Sequence, residues 1–143
     1  MKLILVGIFI LGLGINCLAD TCGGNCPSDY CEDCLCGNTK NMVDISEWCS
    51  KYSWDQANCE CIMQNESGGN ANALYMNKGG TYPDSYDLGL WAINDFNWND
   101  CNNGNPPCDP QDNLNCAIKV YKWGGSTWKN WSTCHKCGAC DSS

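Results

Sequence analysis

The chain has 143 residues, enough for one small domain, and with 43% hydrophobic and 17% charged residues it has a globular composition rather than a disordered or collagen-like one. It holds 15 cysteines, 7 tryptophans and no arginine, and its 16 acidic residues against 8 lysines give a formal charge of −8. A field of that sign repels phosphate backbones and anionic membrane surfaces, which disfavours both as partners.

At the N-terminus, Met1-Lys2 is a short basic start, residues 3–15 are almost wholly aliphatic and glycine, and Cys17-Leu18-Ala19 ends on a small residue. This pattern predicts a cleaved secretory signal over residues 1–19. The apolar run, about thirteen residues, is shorter than the roughly 20 a spanning helix needs, so no membrane association is expected once the signal is removed. Residues 20–143 then carry 7 lysines, 16 acids and 14 cysteines, a formal charge of −9. An even cysteine count in a short secreted chain predicts a disulfide framework of up to seven bridges, because a small core needs covalent staples. Zinc competes at Cys31-x2-Cys34-x-Cys36 and Cys134-x2-Cys137-x2-Cys140, where thiolates two residues apart suit a tetrahedral ion. The oxidising compartment favours disulfides, and neither a metal nor a cofactor is expected.

Residues 20–40 are crowded with Cys22, Cys26, Cys31, Cys34 and Cys36 among Gly, Asn, Asp and Pro, with no helix or strand period. They read as an irregular, disulfide-held cap too poor in aliphatics for a core of its own. Residues 41–143 form the main domain, ending in a second cysteine knot from Cys134 that is expected to pair partly with the first. Asp44-Ile45-Ser46-Glu47 is a capping box that predicts a short helix to about Tyr52, and Ser53-Trp54-Asp55-Gln56 repeats the signal. A second helix from about Trp54 to Ser67 would put Cys59, Ile62 and Glu66 on one stripe. Gly68-Gly69 stops it, leaving a carboxylate at the negative end of the helix dipole on an otherwise apolar face, which suits a general acid. Residues 74–76, a Lys78-Gly79-Gly80 turn and a stretch ending at Trp91 predict an antiparallel hairpin. Asp109-Pro110-Gln111-Asp112 starts another helix with Leu114, Ala117, Ile118 and Tyr121 on its buried face, ended by Gly124-Gly125. A last helical turn is expected to carry Trp128 and Trp131 inward. Asp109, Asp112 and Asn113 lack a calcium loop, and His135 sits in the terminal knot, where a surface position is expected.

Several separate motifs then stand in order: Cys61-x4-Glu66-Ser67, Asp87-x-Gly89-Leu90-x2-Ile93-Asn94, Trp98-x-Asp100-Cys101, Pro107-Cys108, Asn115-Cys116-Ala117 and Trp128-x2-Trp131-x2-Cys134. Over about residues 54–134 their order and spacing resemble the c-type lysozymes, and the asparagine-rich, arginine-free composition is that of an AT-rich genome, as in a protist branch of the lysozyme-like superfamily. The resemblance implies an α+β, mainly helical, lysozyme-like fold with a small antiparallel sheet. It implies hydrolysis, with retention, of the β-1,4 bond between N-acetylmuramic acid and N-acetylglucosamine in bacterial peptidoglycan, with chitin oligomers as a side substrate. Glu66 and Asp87 match the two catalytic carboxylates; such chemistry needs one protonated acid and one ionised partner. Lysozyme is a standard worked case of that division of labour. Trp128 matches the tryptophan that walls in the acid, Asn94 and Trp98 match residues that bind N-acetyl sugars, and Ser67 and Asn70 occupy matching cleft positions. Asn77 or a neighbour is expected to hydrogen-bond Asp87. The family pattern has Gln where this chain has Ala92. Matching bridges are Cys61 with Cys134 and Cys101 with Cys108, which leaves Cys116 to find a new partner among Cys49, Cys59 and the terminal knots.

Taken singly, Glu66 is one of four glutamates and Asp87 one of twelve aspartates, so only the motif context marks them. Two other classes stay open. Glu66-Ser67-Gly68-Gly69-Asn70 followed by Gly89-Leu90-x2-Ile93 also resembles the lytic transglycosylases, which cleave the same bond without water and generally need only the glutamate. A sugar-binding module with the fold and no activity is the third. Sequence pI is about 4.3, so repulsion from anionic envelopes fades in acid, and a monomeric digestive enzyme, secreted or in a lysosome or digestive vacuole, with an acidic optimum is expected. Sequons stand at Asn65 and Asn130, and Asn65, beside the acid, is expected to stay unmodified.

Overall fold

Aspartate side chains set the main helix starts. In the computed structural model, which describes residues 21–22, 25–27, 34–78 and 84–142, Asp44 accepts from the Glu47 amide (2.9 Å), Asp55 from Asn58 (2.8 Å) and Asp109 from Gln111 (2.8 Å). Each caps an amide the helix cannot satisfy, a contribution of about 1 kcal/mol apiece. They open α1 (Ile45–Cys49), α2 (Gln56–Glu66) and α4 (Pro110–Trp123), the last with its proline at the favoured first position. The expected signal segment and Gly79-Gly80 of the expected Lys78-Gly79-Gly80 turn lie outside the described residues.

Two helix bounds differ from expectation. α1 ends at Cys49 rather than near Tyr52, because Cys49 is drawn to Cys59 of α2 by a disulfide, and α2 begins at Gln56, two residues after the expected Trp54, with Asp55 as its cap. Trp54 is thereby free to bury its ring and donate its indole N–H to Cys49 O (2.7 Å). After α2, Gly68 and Gly69 take φ of +61° and +83°, which reverses the chain at little cost for glycine.

The expected hairpin is a three-stranded antiparallel sheet in the order β3 (Leu74–Asn77), β4 (Ser85–Leu88), β5 (Ile93–Asn94). Tyr75 pairs with Asp87, Asn77 with Ser85 and Asp87 with Asn94, so five polar or amphipathic side chains share one face. Leu74, Leu88 and Ile93 alternate onto the other face and are buried. A 3-10 turn (Asp95–Asn97) leads into α3 (Trp98–Asn102). The N-terminal segment, expected without strands, contains β1 (Thr21–Cys22) paired antiparallel with β2 (Cys26–Pro27).

The core is a packed aromatic cluster: Trp128 stands 4.9 Å from Trp54, 5.0 Å from Tyr121 and 5.1 Å from Trp131, centroid to centroid. Ile62 and Met63 of α2 and Leu114 and Ala117 of α4 close round it. Ile118, expected on the buried stripe, is half-buried. Trp128 and Trp131 do point inward, but through a series of turns rather than a helical turn; Ser126 at φ +58° breaks the helical path, and the short helix α5 (Cys134–Cys137) begins only after Thr133.

The bridges expected from the resemblance are replaced. Cys61 bonds Cys137, because α5 lays Cys137 over α2 while Cys134 closes on Cys140 within its own segment. Cys101 bonds Cys116, since α3 packs on α4 with those Cα atoms 4.9 Å apart, and Cys108 is left to hold Cys36 of the N-terminal segment. The terminal knot therefore joins the body, and among the described residues it does not pair with the first. Cys134, His135 and Cys140 are close enough to share a metal, but the two sulfurs are spent in a disulfide, so the zinc alternative has no free thiolates there. Among the described residues, no helix is long and apolar enough to cross a membrane.

Candidate active site

Glu66 is the last residue of α2, at the edge where that helix meets the polar face of the sheet. It is half-buried, and the Thr133 hydroxyl donates to its Oε1. Burial raises its pKa above the ordinary 4.5 by penalising the charged form; the Thr133 hydrogen bond opposes this, the nearby Asp87 charge adds to it, and Lys136 pulls the other way. A proton held above the usual carboxylate range is what a general acid needs.

Asp87 stands on β4, between two asparagines that its register supplies. Asn77 Nδ2 donates to Oδ2 (2.7 Å) and Asn94 Nδ2 to Oδ1 (2.7 Å), so each carboxylate oxygen accepts an amide N–H. Ser85 Oγ accepts from both asparagines, at 3.3 and 3.2 Å, and braces them. The expected contact from Asn77 is present, and its origin is the antiparallel pairing of Asn77 with Ser85. Glu66 and Asp87 line one open cleft with Ile93, Asn97, Val120 and Trp131.

The other expected cleft residues fall in different places. Asn94 lines the cleft, but its amide is committed to Asp87 and its Oδ1 accepts from the Phe96 N–H (3.1 Å), so it positions a carboxylate rather than offering free donors to a sugar. Trp128 is wholly buried in the aromatic core, and Trp131, three residues on, is the ring that lines the cleft beside Glu66. Trp98 is no sugar platform: it is 8% exposed, its N–H spent on Ile93 O (3.1 Å). Asn70 is buried and holds backbone, its Oδ1 accepting from Asn41 (3.0 Å) and Asn72 (3.1 Å). Ser67 donates to Leu90 O (2.8 Å), which ties the end of α2 to the β4–β5 turn. Ala92, in place of the family glutamine, lines the cleft with φ +46°. Thr133 and Asn97 are contact or cleft residues that no sequence pattern marked, and Asn130 and Ser132, singled out only as an acceptor sequon, line the cleft as well. For Thr133 no local signal exists, because its partner lies 67 residues away.

Tyr75, the cross-strand partner of Asp87, is close enough to Glu66 that the glutamate's charge adds to the burial that raises its hydroxyl pKa. A raised acid and an amide-held carboxylate facing each other across an open groove are the equipment of a glycosidic-bond enzyme. No curated protein and no solved structure matches the chain significantly. The helix that ends in Glu66, the sheet that carries Asp87 and the α3–α4 pair all fall inside residues 44–137, which match the model of the transglycosylase SLT domain. The chain belongs to that family, within the lysozyme-like superfamily of peptidoglycan-cleaving enzymes.

Proposed function

We propose that the chain is a peptidoglycan N-acetylmuramidase that hydrolyses the β-1,4 bond between N-acetylmuramic acid and N-acetylglucosamine with retention. The observation that carries this reading is the pairing in one cleft of Glu66, half-buried with its pKa raised by that burial, with Asp87, both of whose oxygens accept amide N–H groups. Glu66 gives its proton to the glycosidic oxygen as the C1–O bond breaks, and Asp87 bonds to, or electrostatically stabilises, the positive C1 centre. Water then attacks C1, and Glu66 takes back a proton. Chitin oligomers share the N-acetylglucosamine unit and are the side substrate. A secreted or lysosomal digestive role, suggested by the apolar start and the acidic pI, and action as a monomer belong to the same proposal.

The family match is equally compatible with a second reading, a lytic transglycosylase, in which the muramic acid's own C6 hydroxyl attacks C1 in place of water and leaves an anhydro product. Product analysis of digested peptidoglycan separates the two. For the hydrolase, reducing-end muramic acid is released, Glu66→Gln lowers the rate by about 10³-fold and Asp87→Asn by about 10²-fold. Anhydro-muramic products that survive Asp87→Asn overturn hydrolysis in favour of transglycosylation. No products from a folded protein leave a sugar-binding domain.

A further inference from the structure

Away from the cleft, Cys134, His135 and Cys140 bring their sulfur and ring-nitrogen atoms within 4.8 Å of one another. The two cysteines form a disulfide, and His135 Nδ1 lies 3.3 Å from Cys140 Sγ. A pocket of about 390 Å³ opens onto this group, with Gly138 and Asp141 among its walls. The two sulfurs differ in access: Cys134 is buried, whereas Cys140 is only half-buried.

The other bridges described above lack this combination. Cys49–Cys59 and Cys101–Cys116 are buried, and Cys36–Cys108 and Cys61–Cys137, though half-buried, have no imidazole at their sulfurs, since His135 is the chain's one histidine and its ring stands at Cys140. Thiol–disulfide exchange needs a sulfur that a thiolate can reach and a donor that stabilises the departing thiolate. Cys140 supplies the first and the His135 ring N–H the second.

The same bridge borders the catalytic acid. Thr133, whose hydroxyl donates to Glu66 Oε1, directly precedes Cys134, and its carbonyl accepts from the Lys136 and Cys137 amides (3.0 and 3.3 Å). α5 has four residues, too few to keep its shape by backbone bonds alone. Two crosslinks fix it, Cys61–Cys137 at its end and Cys134–Cys140 at its start.

We infer that Cys134–Cys140 is an exchange site for small thiols, and that opening it loosens the hold of Thr133 on Glu66, so that the redox state of the C-terminal knot regulates the catalytic acid. A thiolate attacks Cys140 Sγ and forms a mixed disulfide as the bond to Cys134 breaks; Cys134 leaves with the electron pair and takes a proton from solvent. A second thiolate attacks the small-molecule sulfur of that mixed disulfide, the two small thiols depart as their own disulfide, and the Cys140 thiolate accepts from the His135 N–H. Two thiols are oxidised and one protein disulfide is reduced. The inference does not depend on which glycosidic reaction Glu66 serves.

Exposure of the full oxidised chain to reduced glutathione, quenched with iodoacetamide and mapped by peptide mass spectrometry, tests the exchange. Cys134–Cys140 is expected to open ahead of the other bridges described above, through an adduct on Cys140. His135→Ala, at an exposed position, is expected to slow the appearance of the Cys134–Cys140 dithiol about tenfold. Earlier opening of another of those bridges, or an unchanged rate in His135→Ala, overturns the site. Cys134→Ser combined with Cys140→Ser leaves the bridge open without a reductant and tests the regulation. Carbon NMR titration of the Glu66 carboxyl, assigned with Glu66→Gln, is expected to show a higher midpoint than in the oxidised parent. The lost Thr133 hydrogen bond and a displaced Lys136 both favour the protonated form, while Asp87 and Tyr75 on the sheet stay in place. Adding Thr133→Val abolishes most of that rise. A midpoint that does not move, or a rise undiminished by Thr133→Val, overturns the regulation, and the glutathione-opened chain takes the same titration if the double variant does not fold. Neither readout needs cleavage of peptidoglycan, so an inactive chain defeats the muramidase reading and leaves the exchange site standing.

Discussion

Glu66 is asked to be two things that conflict, a buried group and a titrating one. Because burial raises its pKa, the native chain keeps a proton that the unfolded chain releases as pH rises above the ordinary 4.5. The native state then binds more protons than the unfolded one, so stability falls as pH climbs through that window. Glu66→Gln removes the titration while its amide oxygen still accepts from Thr133. It is therefore expected to raise Tm at pH 7 and to leave it unchanged below about pH 4, where Glu66 is protonated in both states. Thermal melts at the two pH values check this, and a gain at both would place the effect in packing instead. The alkaline limb of activity follows the same carboxyl. Thr133→Val and Lys136→Met each remove an influence that lowers the Glu66 pKa, so both move that limb to higher pH; Asp87→Asn removes one that raises it and moves the limb down. A limb that stays in place in Thr133→Val would show that another group sets it.

The sheet is aimed at the cleft by an element-level contact that has no catalytic part. Asn113, wholly buried on α4, accepts from Trp91 N–H (3.0 Å) and donates to Leu88 O (2.8 Å) and Pro107 O (3.2 Å), which anchors the β4–β5 turn to the helix. Gly89 makes the approach feasible: its φ is +82°, and a Cβ there would sit 2.1 Å from the Asn113 amide nitrogen. Asn113→Leu strands those buried backbone groups and is expected to cost about 2–4 kcal/mol in urea unfolding. Gly89→Ala adds a strained φ to a steric clash and is expected to cost about 3 kcal/mol; a loss below about 0.5 kcal/mol in either would refute the coupling. What was legible in the sequence was local. The aspartate caps, the glycine stop after Glu66 and the α4 stripe each depend on neighbours within four residues, and all three form. The Asn77 contact to Asp87 was expected from the resemblance, whereas Asn94, expected against a sugar, reaches Asp87 because β5 pairs with β4. Disulfide partners depend on how helices cross, so Cys137 displaced Cys134 and Cys116 displaced Cys108. A choice between Trp128 and Trp131 for the cleft required knowing that turns, not a helix, connect them.

Across the whole molecule, a formal charge of −8 on 143 residues opposes approach to an anionic wall whatever the cleft does. An acidic optimum therefore has two separable origins, titration of Glu66 and long-range repulsion, and salt distinguishes them. The Debye length shrinks from about 30 Å at 0.01 M to about 8 Å at 0.15 M, so added salt screens the envelope from the protein's field but leaves a half-buried proton equilibrium nearly untouched. At pH 7 the initial rate on intact cell wall is expected to rise several-fold over that range of salt, while the rate on a small uncharged N-acetylglucosamine oligomer stays flat. Near pH 4.5, close to the sequence pI of about 4.3, the wall rate loses its salt dependence because the net charge is nearly gone. Turbidity loss of cell-wall suspensions alongside oligomer hydrolysis supplies both rates. A wall rate that falls with salt at pH 7 would mean that local positive charge near Glu66, such as Lys136, outweighs the global charge in docking; a rate indifferent to salt would leave Glu66 as the sole source of the acid preference.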